Sequence, residues 1–215
     1  MKTRLIPVAI VCLLLAQSSA RSQSTPLPRF EAAAEFTTLG RDAFAGVRTE
    51  PGVGGRFTVN MNEVFAFETA AYIFPRKCFD CVENGRMTQA VAGVKIGKRF
   101  EHWGVFGKAR PGVVSYSVGT SDFTISNPFL PFVFGVERRR VTSFATDVGG
   151  VVEFYPSPRI VTRFDMGDTI IYHRRRTQEV IVFNPVNGSA SLFPFTRPAR
   201  TDHQFQFVAS VGFRF

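Results

Sequence analysis

The stretch His203–Phe215 alternates apolar and polar side chains and ends on an aromatic residue. Because successive side chains of an extended strand point to opposite faces, this period of two gives the strand one apolar and one polar face. The apolar face carries Phe205, Phe207, Ala209, Val211, Phe213 and Phe215. Soluble proteins seldom place such a strand at the very end of the chain. The stretch therefore predicts a two-faced strand that runs to the last residue.

The N-terminus has the charge pattern and the length of an export signal. Lys2 and Arg4 precede an apolar run, Leu5–Ala16, which is followed by small residues up to Ala20. The run is shorter than the roughly 20 residues that a helix needs to cross a bilayer, so a membrane anchor is the weaker alternative. We predict a cleaved signal peptide over residues 1–20, a short periplasmic segment over 21–28 and one domain over 29–215.

Composition narrows the class of protein. Charged residues recur through every later segment, which excludes a helical membrane protein. The chain is 45% hydrophobic, as expected when every strand is half apolar and half polar. The formal net charge is +9, but an exported chain without zinc-finger or RNP-type motifs is not expected to bind nucleic acid. We expect partners among outer-membrane lipids, lipopolysaccharide and extracellular or host-surface polyanions.

Segments in which apolar and polar residues alternate, each bounded by turn residues, predict a set of strands. The connections between these strands are alternately short and long. The strands are Arg29–Leu39, Val53–Met61, Glu63–Phe74, Met87–Arg99, Trp103–Ser117, Val141–Tyr155, Arg159–Tyr172 and His203–Phe215. The long connections are Gly40–Gly52, Pro75–Arg86, Val118–Arg140 and His173–Asp202. An even strand number puts every short turn on the periplasmic side and every long loop outside. We predict an all-β, eight-stranded antiparallel up-and-down transmembrane barrel.

Charged residues share one face of these strands. The acids are Glu31, Glu35, Glu68, Asp147, Glu153 and Asp165, and the bases are Arg56, Lys95, Lys108, Arg110, Arg163 and Arg214. For a single strand, the solvated face of an open sheet is the simpler interpretation. Unpaired charges in a narrow lumen are costly, so a balanced set across all strands predicts a lumen filled by paired side chains. Lumen-facing glycines such as Gly93 and Gly149 are expected to make room for Lys and Arg stems.

Four stretches share the order and spacing of a known family. They are Gly93–Phe100, Gly107–Gly112, Arg163–Thr169 and Val211–Phe215. Over nearly all of the mature part, the chain resembles the small outer-membrane β-barrel domain family, which is similar to the membrane domain of OmpA and to the OmpX/Ail group. The resemblance implies a bacterial outer-membrane location and a terminal strand that is read by the assembly machinery. We expect a monomer. The aromatic residues of that assembly signal are Phe205, Phe207, Phe213 and Phe215.

Cys78 and Cys81 lie in the second long connection, with Phe79 and Asp80 between them. In an oxidising exported setting, a local disulfide is the favoured interpretation. A redox motif normally opens a helix beside a sheet, and a metal site would need two further ligands. We expect neither a metal ion nor a cofactor.

Two arginine triplets, Arg138-Arg139-Arg140 and Arg174-Arg175-Arg176, lie where strands meet long outer loops. Guanidinium groups pair well with phosphates, so the triplets are candidates for contact with lipopolysaccharide. The alternative is interfacial snorkelling that only sets the depth of the barrel. A host-surface polyanion is a separate and weaker hypothesis. Apolar residues in the last two long connections are predicted either to extend the strands or to cover the barrel mouth; examples are Phe132, Phe134, Phe193 and Phe195.

A membrane-embedded lipid hydrolase would need His and Ser together at the outer rim, with an acidic or amide group to orient the imidazole. His102 and Ser157 are expected on the periplasmic side, and the sequence has no compact His-x-Ser pair. His173 with Ser189 or Ser191 is the candidate that remains. We therefore predict no catalytic residues. The predicted function is a structural or surface-interaction role for a barrel with a plugged lumen and four long extracellular loops. A small passive pore and, less favoured, a lipid hydrolase are the alternatives.

Overall fold

The computed structural model describes residues 28–43, 46–78, 85–117, 121–125, 132–136, 140–183 and 189–215. The predicted signal peptide lies outside the described residues, as do Cys81, Arg138 and Arg139. In the part of the chain that is described, no helix is long and apolar enough to cross a membrane.

The described residues form strands that are numbered along the chain. They are β1 Phe30–Ala43, β2 Gly46–Asn60, β3 Phe65–Cys78, β4 Gly85–Arg99, β5 Trp103–Ser117, β6 Ser121–Ile125, β7 Phe132–Val136, β8 Val141–Ser157, β9 Ile160–His173, β10 Arg176–Phe183, β11 Ala190–Arg197 and β12 Arg200–Arg214. Eight of them close a barrel in the order β1-β12-β9-β8-β5-β4-β3-β2, and all neighbours are antiparallel. The predicted eight-stranded antiparallel barrel is confirmed.

The barrel closes between its first and last strands. Glu31 of β1 lies opposite Arg214 of β12. Beyond this pair, the backbone N–H groups of Phe30 and Phe215 each donate to the other residue's carbonyl at 2.9 Å. Closure leaves no unpaired strand edge in contact with lipid, where a free N–H or C=O could not be satisfied.

The first two long loops are shorter than predicted. Most of Gly40–Gly52 is strand, because β1 and β2 stay paired as far as Ala43 and Gly46. The side chains there are small or polar on both faces, so the period-two signal fades although backbone pairing continues. β3 likewise extends to Cys78, and β4 begins at Gly85. Gly46 and Gly85 have positive φ angles of 121° and 89°, which glycine adopts without a steric penalty.

The other two predicted long loops each contain a hairpin. β6 pairs with β7 and β10 pairs with β11, and each pair is a separate two-stranded sheet. Phe132 and Phe134 lie in β7, while Phe193 and Phe195 lie in β11. The alternating apolar residues of these segments therefore belong to hairpins, a pattern that the Gly and Pro content of the segments concealed.

The barrel carries apolar side chains on its outside and polar side chains within. This distribution is the reverse of that in a soluble protein, and it suits a surface that faces lipid. The barrel therefore has the architecture of a membrane-spanning sheet, since a closed sheet can cross a bilayer with every backbone group paired. Large exposed apolar residues of the outer face include Phe36, Phe57, Phe67, Ile96, Val105, Phe144, Phe154, Phe164, Phe205 and Phe213.

Candidate functional site: the lumen and its extracellular mouth

The charged residues predicted to face the lumen all have buried side chains. They come from every barrel strand, and none is more than 6% exposed. Where two of them share a strand, their positions differ by an even number, so the pleat of the strand turns both side chains to the same face. They are Glu31, Glu35, Arg56, Glu68, Lys95, Lys108, Arg110, Asp147, Glu153, Arg163, Asp165 and Arg214.

Arg163 occupies the centre of this set. Its Nε and Nη2 donate to the two oxygens of Asp165 at 2.5 and 2.8 Å. Nη1 and Nη2 also donate to Glu68, with the Nη2–Oε2 distance at 3.1 Å. Lys95 donates to Glu153 and lies 3.5 Å from Glu68. Because charge-assisted and bidentate bonds are the strong ones, this geometry offsets much of the desolvation of the buried ions.

Asp147 extends the ion pairs toward the extracellular side. Its Oδ2 accepts from Lys108 Nζ at 3.0 Å and from Arg110 Nε at 3.0 Å. The same Lys108 Nζ donates to Asp165 at 3.1 Å. Arg110 Nη1 is 3.6 Å from Glu68. These shared partners join Asp147 to the centre of the set.

Glu31 extends the ion pairs toward the periplasm. Arg214 Nε lies 3.4 Å from Glu31, and Arg56 Nη1 lies 3.7 Å from it. Arg56 Nε donates to Glu35 at 2.9 Å. Since Arg56 Nη1 is also 3.5 Å from Glu68, the ion pairs form one connected network from the periplasmic end to Asp147.

Sequence reasoning missed several members of this network, among them Tyr72 and Arg99. Tyr72 donates its hydroxyl to Glu35 at 2.6 Å, and Arg99 Nη2 is 3.6 Å from Glu31. Both residues stand an even number of positions from a predicted member on the same strand. The period of two that identified the others therefore identifies these as well.

A layer of mostly uncharged side chains, the neutral layer, lies above the network, toward the extracellular side. Thr169 donates to Gln206 at 2.7 Å, and Gln206 donates to Gln89 at 3.3 Å. The apolar side chains around them are buried, and the buried guanidinium of Arg41 lies 5.2 Å from the Tyr116 ring. Apolar residues occupy both strand faces at this level, so alternation gives no signal there. The largest members of the layer are Leu39, Phe74, Met87, Tyr116 and Ile171.

At the lumen glycines, the atoms nearest to an added side chain belong to the backbone of the neighbouring strand. A Cβ on Gly149 would lie 2.3 Å from the backbone oxygen of Met166, and one on Gly93 would lie 2.1 Å from that of Ala109. The obstacle is thus the backbone of the neighbouring strand. These glycines allow adjacent strands to approach closely where the wall of a narrow barrel coils.

The described arginines of the two triplets lie at the extracellular rim. Arg140, Arg174 and Arg175 are exposed, and Arg176 is half-buried. Arg140 Nε donates to Ser115 Oγ at 3.0 Å, which directs this side chain along the outer wall. A groove of about 610 Å³ opens beside the second triplet; its lining includes Phe144, Tyr172, His173, Arg174, Arg200 and Thr201.

His173 joins a hydroxyl and a carboxylate at this mouth. Its Nδ1 is 3.1 Å from Ser143 Oγ, and its Nε2 is 3.0 Å from Asp202 Oδ2. Arg200 Nε donates to both oxygens of Asp202, at 3.0 and 3.1 Å. The hydroxyl that the structure describes beside His173 is therefore that of Ser143, and the side chain of Ser191 lies outside the described residues. No sequence signal links these positions, because the barrel register alone brings β8, β9 and β12 together.

The other predicted features lie elsewhere on the barrel. Phe205, Phe213 and Phe215 are 50–62% exposed on the outer face, and Phe207 is on the same face, half-buried. The proposed Cys78–Cys81 bond lies outside the described residues. Within the described ranges, no group of three or more His, Cys, Asp or Glu is arranged to hold a metal ion.

Comparison with known proteins gives similarity to solved barrel structures only. No family model matches the chain, and no curated protein matches it. Neisserial surface protein A is similar with 13% identity and a TM-score of 0.49, over 86% of this chain and 97% of that one. Ail of Yersinia pestis, solved with the heparin analogue sucrose octasulfate, has 9% identity and a TM-score of 0.47 over 86% and 97%. OprG of Pseudomonas aeruginosa has 10% identity and a TM-score of 0.47 over 86% and 95%.

Proposed function

We propose that this protein is an outer-membrane barrel with a closed lumen and a structural or surface-interaction role exerted from its extracellular side. The observation that carries the proposal is the connected ion-pair network that fills the lumen from Arg214 to Asp147. A neutral layer that includes Phe74 and Tyr116 lies above it. A small passive pore needs a continuous wet path, and paired side chains from every strand leave little space for one.

Conductance in planar bilayers tests the closed lumen. We expect the purified full chain to give no steady channels. The control replaces Arg110 and Arg163 with Ser, which removes two of the largest fully buried side chains and is expected to admit ions. Steady channels in the unsubstituted barrel would contradict the proposal.

The rim arginines support the surface role. Arg140, Arg174 and Arg175 are exposed, and guanidinium groups bind phosphate through directed pairs of hydrogen bonds. We propose lipopolysaccharide phosphates as their ligands, with an extracellular polyanion as the second candidate. We include Arg176, Arg138 and Arg139 in this proposal because they belong to the same two arginine triplets.

Replacement of Arg174 and Arg175 with Gln is the corresponding test. Each arginine near an anionic surface contributes about 1 kcal/mol, so we expect lipopolysaccharide binding to weaken about fivefold per residue at low salt and less at high salt. The matched control is Arg159→Gln, since Arg159 is exposed at the periplasmic turn. Weaker binding to heparin alone would favour the polyanion. Unchanged binding to both lipopolysaccharide and heparin would contradict the proposal, and the rim arginines would then serve only to set the depth of the barrel in the membrane.

A further inference from the structure

The cluster at the barrel mouth has the contacts of a serine hydrolase site. Ser143, His173 and Asp202 are brought together by neighbouring strands, with Nδ1–Oγ at 3.1 Å and Nε2–Oδ2 at 3.0 Å. Nε2 makes this contact as an ion pair and not as a directed hydrogen bond. A hydroxyl within hydrogen-bond reach of an imidazole, with a carboxylate beside the other ring nitrogen, has the composition of a site for nucleophilic catalysis. Because all three side chains project from barrel strands, their positions are fixed by a rigid scaffold.

The cluster is separate from the lumen network. Ala145 on β8 and Ile171 on β9 are fully buried apolar residues, and each stands between the cluster and the charged residues of its strand. Asp202 is held by Arg200 rather than by a lumen cation. The ring of Tyr116 lies 6.2 Å from that of His173 and limits rotation of the imidazole. Closure of the lumen therefore does not require these polar groups.

The adjoining groove indicates what the site would accept. Of the three cluster residues, His173 lines the groove, whereas Ser143 and Asp202 lie behind it. The outward-facing rings of Phe144 and Tyr172, whose centroids are 5.7 Å apart, form the neighbouring part of the wall. Arg174 adds an exposed cation to the same wall. Aromatic residues at the end of a transmembrane barrel mark the membrane interface. An amphiphile with an acyl chain in the membrane and an anionic headgroup outside would present its ester at this level.

We propose that Ser143, His173 and Asp202 form an esterase site that hydrolyses carboxylic esters of anionic amphiphiles, which leave the outer leaflet and enter the barrel mouth through the groove beside His173. Ser143 Oγ attacks the carbonyl carbon while its proton moves to His173 Nδ1. Collapse of the tetrahedral intermediate breaks the bond to the alcohol oxygen, which takes that proton and leaves. Water then attacks the acyl-serine, gives a proton to Nδ1, and releases the carboxylic acid as Nδ1 returns the proton to Ser143.

In this reaction Asp202 is a positioning residue and Arg174 is the cation that faces the headgroup. Asp202 stabilises the imidazolium that forms when Nδ1 takes the serine proton. The exposures of Ser143 and His173 are only 5% and 6%, so the reacting groups are shielded from bulk water, which strengthens their electrostatic interactions. The activity goes beyond the proposed structural role, and it reverses the expectation that the chain has no catalytic residues.

The full-length chain, folded in its outer-membrane fraction, is treated with a fluorophosphonate probe and with p-nitrophenyl butyrate. We expect the probe on Ser143, located by peptide mass spectrometry. Ester hydrolysis should fall at least about 100-fold in Ser143→Ala and His173→Asn. Asp202→Asn should lower kcat with little change in KM, which a merely structural role would not separate. The matched controls are Ser210→Ala, a buried lumen serine, and His203→Asn on the outer face.

Vesicles of phosphatidylglycerol and of phosphatidylcholine then test the substrate class. Faster fatty-acid release from phosphatidylglycerol, reduced by Arg174→Gln, supports the anionic amphiphile, and equal release overturns that assignment. The esterase itself is overturned if the folded, unsubstituted chain takes no probe, takes it only elsewhere, or hydrolyses the ester no faster than Ser143→Ala. Probe mapping on the unsubstituted chain decides the matter even if a variant fails to fold. Probe labelling of Ser143 and the comparison with Ser143→Ala are independent of conductance and lipopolysaccharide binding.

Discussion

Replacement of Arg163 with Met is expected to lower the free energy of unfolding by about 3 kcal/mol. Loss of one partner from a buried ion pair costs about 3–5 kcal/mol, because the charge left behind stays buried. Arg163 donates to both Glu68 and Asp165, so two carboxylates lose their main partner. Lys95, 3.5 Å from Glu68, and Lys108, 3.1 Å from Asp165, remain in place. These cations put the expected loss at the lower end of the range.

Urea unfolding in lipid vesicles measures this loss. The chain has a single tryptophan, Trp103, which is 43% exposed on the outer wall and reports transfer from lipid to water. Heat-dependent gel mobility shows separately whether the variant folds. The matched control is Arg159→Met at the exposed periplasmic turn, where we expect a change below about 0.5 kcal/mol.

A compensated variant tests the cause of the loss. Adding Asp165→Asn to Arg163→Met removes one acid for the one base that is lost, and Lys108 and Arg110 keep Asp147 as a partner, so part of the lost stability is expected to return. A loss below about 1 kcal/mol in Arg163→Met alone, or no recovery in the double variant, would refute the reasoning. Either result would mean that the lumen is hydrated well enough to solvate its charges.

The remaining predictions concern the two ends of the chain and the cysteines. Deletion of Phe215 is expected to reduce the folded, heat-shifted band in the outer-membrane fraction, whereas Arg159→Gln leaves it unchanged. N-terminal sequencing of the exported protein is expected to begin at Arg21; a retained Met1 would contradict signal cleavage. Cys78 and Cys81 are expected to resist alkylation until a reductant is added, and immediate labelling of both would show free thiols.

The faces of the barrel strands could be predicted because a barrel wall imposes a strict period of two. Glu68 and Arg163 are far apart in sequence, yet each is on the charged face of a strand whose other face is apolar. Once the barrel closes, both must point inward. Phe74 and Tyr116 could not be placed in the same way, because apolar residues occupy both faces of the extracellular ends of their strands. Strand ends that extend beyond the apolar band, such as Gly40–Ala43, escaped prediction because their side chains are small or polar on both faces.

The cluster of Ser143, His173 and Asp202 shows a different limit. Each residue occupies one of the inward-facing positions of its strand. Whether the three side chains lie close together depends on the register of β8 against β9 and of β9 against β12. A shift of one residue in either pairing would turn one of the three outward. The apolar bands hold that register, since the same shift would expose lumen charges to lipid. The faces of the strands at the lumen network therefore also fix how Ser143, His173 and Asp202 meet at the barrel mouth. Because this meeting depends on strand register, local sequence motifs could not reveal the cluster.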